Sequence, residues 1–269
     1  GGIYDPSNLF FLSNYLKFDG HSYRLVPIKT EEGVDGELGM VNADELYNIV
    51  KNYRWGNFKD LNTHFDETCT QNIVSYRSSA SRAAEALVMQ GDKKKAIEIL
   101  DLANREIPVS KYNDPRSLSS IVYAYIVAGQ EQKGLKLAED LKKGIFAEYD
   151  YYTKLSPKFQ VYAARQMKTK PMEYSLIVGA VSDAYNKIGQ KDKGYQYLIN
   201  SVNVIDKRFN TFIKDLQEMG KEKAFKKAED VQKVTSFYAY LFDIMKDYDT
   251  TYEAEKMDNI TKQLMKVTQ

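Results

Sequence analysis

Two textures divide the chain. From about Thr70 to the C terminus, apolar side chains recur every three or four positions almost without a break, the spacing of one face of a helix. Before that, from Gly1 to Cys69, the spacing is irregular. Within this first part Ser22-Tyr23-Arg24-Leu25-Val26-Pro27-Ile28 alternates and is rich in β-formers, which predicts a short strand with Pro27 at its edge or end. Thr30 to Gly39 is rich in Gly and Glu, has little to bury and reads as a loop. Asn42-Ala43-Asp44-Glu45 opens a helix with acid in its first turn, expected over residues 43–53, and Trp55-Gly56-Asn57 stops it. The pattern thus predicts an irregular segment over residues 1–69 and a helical array over residues 70–269.

The helical array is punctuated by Gly91, Gly129 and Gly189, and the residues around these glycines repeat. Ala86-Leu87 precedes Gly91 and Ala96 follows; Ala124-Tyr125 precedes Gly129 and Gly134 follows; Ala184-Tyr185 precedes Gly189 and Gly194 follows. Each copy reads Ala-[Leu/Tyr]-x3-Gly-x4-[Ala/Gly]. The physical logic is a helical hairpin. The first small residue lets two helices approach, the bulky one fills the space beside it, and the glycine takes the left-handed turn. The second small residue admits the crossing partner on the return helix. Leu100, Ala138 and Leu198 fall at matching places on the second helices.

This spacing resembles the tetratricopeptide repeat, a helix pair of about 34 residues. Ala80, Ala83-Ala84, Leu87, Gly91, Ala96, Leu100, Ala103 and Pro108 all fall on consensus-type positions in the first copy. The second copy has Phe146 where the proline is expected. The third has Ser182 and Ser201 at small apolar positions and Asp206 at the proline. The resemblance implies an all-α fold, a tetratricopeptide-like α-α superhelix, with a small N-terminal segment containing a short strand. Gly91 and Gly129 lie 38 residues apart, Gly129 and Gly189 60. An insertion is therefore expected between Gly144 and Pro171, either an extra helix over Leu155 to Met167 or an extended repeat helix. After Val202 no clean copy follows. Phe209 to Met219, Ala224 to Met245 and Glu253 to Val267 are helical by apolar spacing and are expected to cap the end of the stack.

Charge narrows the function classes. The chain carries 38 Lys and Arg against 37 Asp and Glu, for a formal net charge of +1. A nucleic-acid partner usually demands a basic excess, so none is expected. Lys93-Lys94-Lys95 and the cluster from Lys221 to Lys227 read as solvated faces. The single cysteine, Cys69, excludes an internal disulfide. No apolar run reaches the ~20 residues that cross a bilayer, so this fragment is not expected to span one. Its start at Gly1-Gly2-Ile3, with no signal peptide, reads as an excised fragment.

Candidate chemistry is sparse. His64-x-Asp66-Glu67-x-Cys69 gathers potential ligands, but a zinc site needs about four in a tetrahedral array, so we expect no metal. Cys69 with His21 would be a thiol dyad only if the fold joined them. Neither a nucleophile elbow, a phosphate loop nor a dinucleotide fingerprint is present. The acidic pairs Glu31-Glu32 and Asp66-Glu67 imply no cleft. No catalytic residue and no cofactor is expected.

A longer resemblance joins Phe18-Asp19-Gly20-His21-Ser22-Tyr23-Arg24-Leu25-Val26-Pro27-Ile28, Asp44-Glu45-Leu46-Tyr47, Tyr53-Arg54-Trp55-Gly56-Asn57, Asp66-Glu67, Arg77 and Arg82-Ala83-Ala84-Glu85-Ala86-Leu87. From about residue 8 to 140 the chain resembles the soluble C-terminal part of a Bacteroidetes family of multi-pass membrane proteins. The membrane part of that family is similar to integral-membrane glycosyltransferases, such as protein O-mannosyltransferases, that use lipid-linked sugars. The resemblance implies a place on the periplasmic side of the inner membrane, with the acidic catalytic residues in the membrane portion.

A non-catalytic interaction domain is therefore expected, binding a protein or peptide partner or docking on its own membrane domain. Its concave face would present Ser81, Glu85, Arg116, Ser119, Tyr123, Asp183 and Asn186. The alternative is a glycan- or acceptor-binding part of a glycosyltransferase, using an aromatic patch at Tyr149, Tyr151 and Tyr152. A free-standing hydrolase using the acidic pairs is the least expected.

Overall fold

In a computed structural model the chain is described over residues 12–30, 37–218 and 229–268. The Glu31-Glu32 pair, the Lys221 to Lys227 cluster and the chain start lie outside the described residues. The fold is all-α with a small N-terminal ribbon. A 3-10 turn, Leu12–Tyr15, leads into β1 (Leu16–Phe18), which pairs antiparallel with β2 (Tyr23–Leu25) in the register Leu16↔Leu25. Nine helices follow among the described residues: α1 (Ala43–Lys51), α2 (Glu67–Met89), α3 (Lys93–Glu106), α4 (Pro115–Val127), α5 (Glu131–Lys154), α6 (Pro157–Lys187), α7 (Lys191–Glu218), α8 (Glu229–Met245) and α9 (Tyr252–Thr268).

The predicted strand is present, shortened, and ends before Pro27. Its partner β1 went unpredicted because three residues carry almost no period. On its other side β1 makes an isolated parallel bridge, Lys17 to Met40. The helix expected over residues 43–53 closes at Lys51. Asn42 caps it, accepting from the Glu45 amide at 3.1 Å. Asp66, Asp92 and Asp114 cap α2, α3 and α4 in the same way, and Pro115 takes the first position of α4.

All three repeat glycines have the backbone the sequence demanded. Gly91, Gly129 and Gly189 sit at φ 87°, 89° and 75°. Each closes its helix by the same pair of bonds. The glycine amide donates to Val88, Ile126 or Asn186, and the next amide donates to the carbonyl of the bulky repeat residue, Leu87, Tyr125 or Tyr185, at 2.8–2.9 Å. The second small residue marks a close crossing. A Cβ on Gly134 would lie 2.6 Å from Ile126 and 3.0 Å from the Val122 carbonyl, and one on Gly194 would lie 2.9 Å from the Ser182 carbonyl. Leu87, Leu100, Ala138 and Leu198 are fully buried at their matched positions.

The chain forms two compact units, Gly1–Leu137 and Ala138–Gln269, divided within α5. The division does not follow the change of texture at residue 69, because the N-terminal segment shares its core with α2. In the first unit α2 is packed by α1, α3 and α4. Ser79 donates to the Gly20 carbonyl at 2.9 Å, and the buried Arg82 guanidinium donates to Leu38 at 3.0 Å and lies 4.1 Å over the Phe18 ring. In the second unit α6 and α7 pair, α8 packs on both, and α9 packs on α7 and α8.

The insertion is an extended repeat helix. α6 runs unbroken from Pro157 through Pro171 to Lys187, so Leu155 to Met167 is not a separate helix. The segment expected from Phe209 to Met219 is, over its described residues 209–218, the end of α7 and not a helix of its own, since Phe209, Ile213 and Leu216 continue its buried stripe. The third copy's polar departures are also explained. Ser182 donates to the Gly194 carbonyl, Ser201 to the Tyr197 carbonyl, and Asp206 accepts from Tyr238 at 2.6 Å while pairing with Lys256.

Candidate functional site

The first unit carries a polar stripe along α4. Arg116, Ser119 and Tyr123 follow one another at helical spacing and are exposed or half-exposed, while Leu118, Ile121, Val122 and Tyr125 on the opposite side are buried. Arg116 pairs with the cap Asp114 at 3.1 Å. Glu85, on α2, is half-exposed. Ser81 departs from the expectation. It is 2% exposed, on a helix packed by α1, α3 and α4, and its hydroxyl turns back to the Ser78 carbonyl at 3.1 Å. It presents nothing to a ligand.

The other two expected face residues lie in the second unit, at the end of α6, and the C-terminal segment engages them. Tyr248 follows α8; its hydroxyl accepts from Asn186 at 2.7 Å and meets the Ser182 hydroxyl at 2.7 Å. Its ring stacks on Tyr195, and Lys191 lies 5.3 Å over it. Burial, with the nearby Asp247 charge, pushes the Asp183 carboxyl above the usual carboxylate range. Asn186 is therefore a structural donor to the next hairpin's turn.

The tyrosine run splits by burial. Tyr149 is buried against Phe237, with ring centroids 5.2 Å apart, so it belongs to the core and not to an aromatic patch. Phe146, Tyr174 and Phe237 complete that cluster, with Arg208 4.4 Å over Phe146 and paired with Asp150. Tyr151 is exposed and Tyr152 half-exposed, edge to face at 5.6 Å.

The structure also joins segments that the sequence could only place in series. His21 stacks on Tyr53 at 4.5 Å and meets Tyr76 edge-on at 4.5 Å; Trp55 lies 5.2 Å from Tyr76, and Phe58 connects Tyr76 with Phe65 and Tyr112. Gly20, at φ 86°, makes the cluster possible, because a Cβ there would overlap the Tyr53 hydroxyl. Burial holds the His21 imidazole below its ordinary pKa. Arg77, next to Tyr76 on α2, is wholly buried. It donates to Ser117 at 2.9 Å, to the Tyr112 carbonyl at 2.7 Å and to the Ile107 carbonyl at 3.4 Å, tying the α3–α4 connection to α2. Burial brings it down to about 10, so it stays charged at neutral pH. The only sequence signal for this cluster was the set of separate aromatic and arginine-bearing elements in the longer resemblance.

Asp66 and Cys69 form a helix entrance. The Cys69 amide donates to the Asp66 carboxylate at 2.7 Å, and that carboxylate raises the thiol pKa, which disfavours a thiolate nucleophile. Among the described residues no group of three or more His, Cys, Asp or Glu side chains is placed to hold a metal ion. No helix of the described residues is long and apolar enough to cross a membrane. No family model, curated protein or solved structure matches the chain.

Proposed function

We propose that the chain is a non-catalytic helical-repeat interaction domain of the tetratricopeptide type, which takes an extended peptide or protein segment on the α4 stripe. The observation that carries this reading is the pairing of repeated hairpins with a solvent-facing polar stripe on α4, where Arg116 is exposed and Ser119 and Tyr123 are half-exposed. The three glycine turns repeat their bonding, and Arg116, Ser119 and Tyr123 stand out on the face of α4 away from its buried side. A guanidinium, a hydroxyl and an aromatic ring in line suit a backbone-rich partner carrying an acidic side chain. On the longer resemblance, the domain would be the periplasmic part of a glycosyltransferase-like membrane protein, and the partner its acceptor polypeptide or its own membrane domain.

Peptide display against the purified chain tests this. Selected peptides should be enriched in acidic residues and lose at least about thirtyfold in affinity on Arg116→Glu and on Tyr123→Ala, the range of a hot-spot residue. Peptides whose binding ignores both changes, or turnover of a glycan or peptide by the purified chain, would refute the reading.

A further inference from the structure

The long hairpin of α5 and α6 ends in a surface unlike the rest of the second unit. Tyr151 is 63% exposed, Phe159 54%, Val161 74% and Tyr162 76%. Four large apolar side chains within twelve residues stand in water at one helix–helix connection. The helical phase explains why Val161 and Tyr162 are outside, whereas Phe159 is exposed in the first turn of α6 on the arc of Ala163. At about 100° per residue, α6 turns Ala163, Met167 and Lys170 inward, where all three are buried. That places Val161, Tyr162 and Arg165 on the opposite arc, with Lys158 and Lys168 along the same stripe.

Charge singles out the surface further. From Tyr151 to Thr169 the sequence has no Asp or Glu, and Lys154, Lys158, Arg165 and Lys168 are all exposed. None of these four makes an ion pair among the described residues. Elsewhere cations are commonly matched, as Lys170 is by Glu148 and Glu173 and Arg208 by Asp150. The hairpin end is thus an apolar, aromatic knob ringed by four unmatched cations on flexible stems.

We propose that this hairpin end seats on the surface of an anionic lipid leaflet. Tyr151, Phe159 and Tyr162 suit the headgroup boundary, where amphipathic rings gather, and Val161 enters below them. The Lys and Arg stems extend along the apolar knob while their charges stay with the lipid phosphates. Nucleic acid would match the cations but not Val161, the second most exposed of the four, because an aliphatic side chain offers no face for a base to stack on. A protein partner would need carboxylates placed against each cation, whereas an anionic bilayer supplies a uniform negative plane. This surface uses residues other than the α4 stripe, and its test is independent of that reading.

The test is co-sedimentation of the full chain with vesicles of phosphatidylcholine alone and of phosphatidylcholine with phosphatidylglycerol. Binding is expected only to the second, and is released as salt approaches 1 M, where the screening length falls to ~3 Å. Lys158→Gln with Arg165→Gln should weaken it about 25-fold, at ~5-fold per cation. Phe159→Ser with Tyr162→Ser should abolish it, with circular dichroism unchanged because both rings are exposed. Absence of sedimentation, equal binding to both vesicles, or unaltered binding by either double variant overturns the proposal. So does tighter binding of a single-stranded oligonucleotide, or self-association in place of vesicle binding that Phe159→Ser with Tyr162→Ser removes.

Discussion

Arg77 shows how one residue can hold a connection that no helix supports. Its guanidinium serves the Tyr112 carbonyl, the Ile107 carbonyl and the Ser117 hydroxyl from inside the first unit. Removing it leaves those acceptors buried and unserved, so Arg77→Met should destabilise the chain by about 3 kcal/mol in urea unfolding. Arg77→Lys should recover only part of that, since a point charge cannot reach three acceptors that a planar fork spans. His21 gives a pH signature. Its folded pKa lies below the unfolded value because burial disfavours the cation. The unfolded chain therefore binds the extra proton in the interval below about 6.5, and stability falls as pH drops through that interval. A proton NMR titration should place the His21 midpoint under 6.5, and Tyr53→Ala, which opens one side of the ring, should move it upward. Neither role was legible in the sequence. Arg77 and His21 act through partners 30 or more positions away, and periodicity reports only a residue's own helix face.

Elements were read well where the signal was local. The hairpin turns depended on Gly91, Gly129 and Gly189 and on a small residue five positions later, all within one stretch of chain, and the structure has each of them. The break between α8 and α9, expected after Met245 and before Glu253, is also where the structure has it, although it contains no glycine. There Asp249 turns the chain instead, accepting from the Thr251 amide at 2.9 Å and from its hydroxyl at 2.8 Å. For α6 a separate helix and an extended repeat helix were both open, and the second is the outcome, whereas α7 was cut too short. Pro171 and the end of the recognisable repeat look like stops, yet burial on both sides keeps each helix going. Pro171 leaves the Met167 carbonyl without its helical donor. Pro171→Ala should therefore raise stability by about 2 kcal/mol, read as a higher denaturation midpoint at unchanged slope. Ser182 and Tyr248 join α6 to the turn after α8. A double-mutant cycle with Ser182→Ala and Tyr248→Phe should return a coupling of about 1 kcal/mol, whereas a value near zero would show that the 2.7 Å contact carries no weight.

At the scale of the whole molecule, both units build around one helix that several others cover. α2 is packed by α1, α3 and α4, and α6 by α7 and α8. Hydrogen exchange should be slowest in the central turns of α2 and α6 and clearly faster in α1, whose nine residues pack chiefly on α2 and α3. Equal protection of α1 and α2 would contradict this order. The change of texture at residue 69 was a poor guide to the units, because composition cannot show that Ser79 and Arg82 bind the N-terminal ribbon. The seat of Tyr248 has a further consequence for how such a chain can change over generations. Its hydroxyl fills the place where a methyl group on Gly194 would stand, 2.9 Å away. Inserting a further helix pair between the α6–α7 hairpin and α8 would pull that hydroxyl out and leave a notch at Gly194. Growth of the array by whole modules should accordingly fail at this joint unless positions 194 and 248 are altered together.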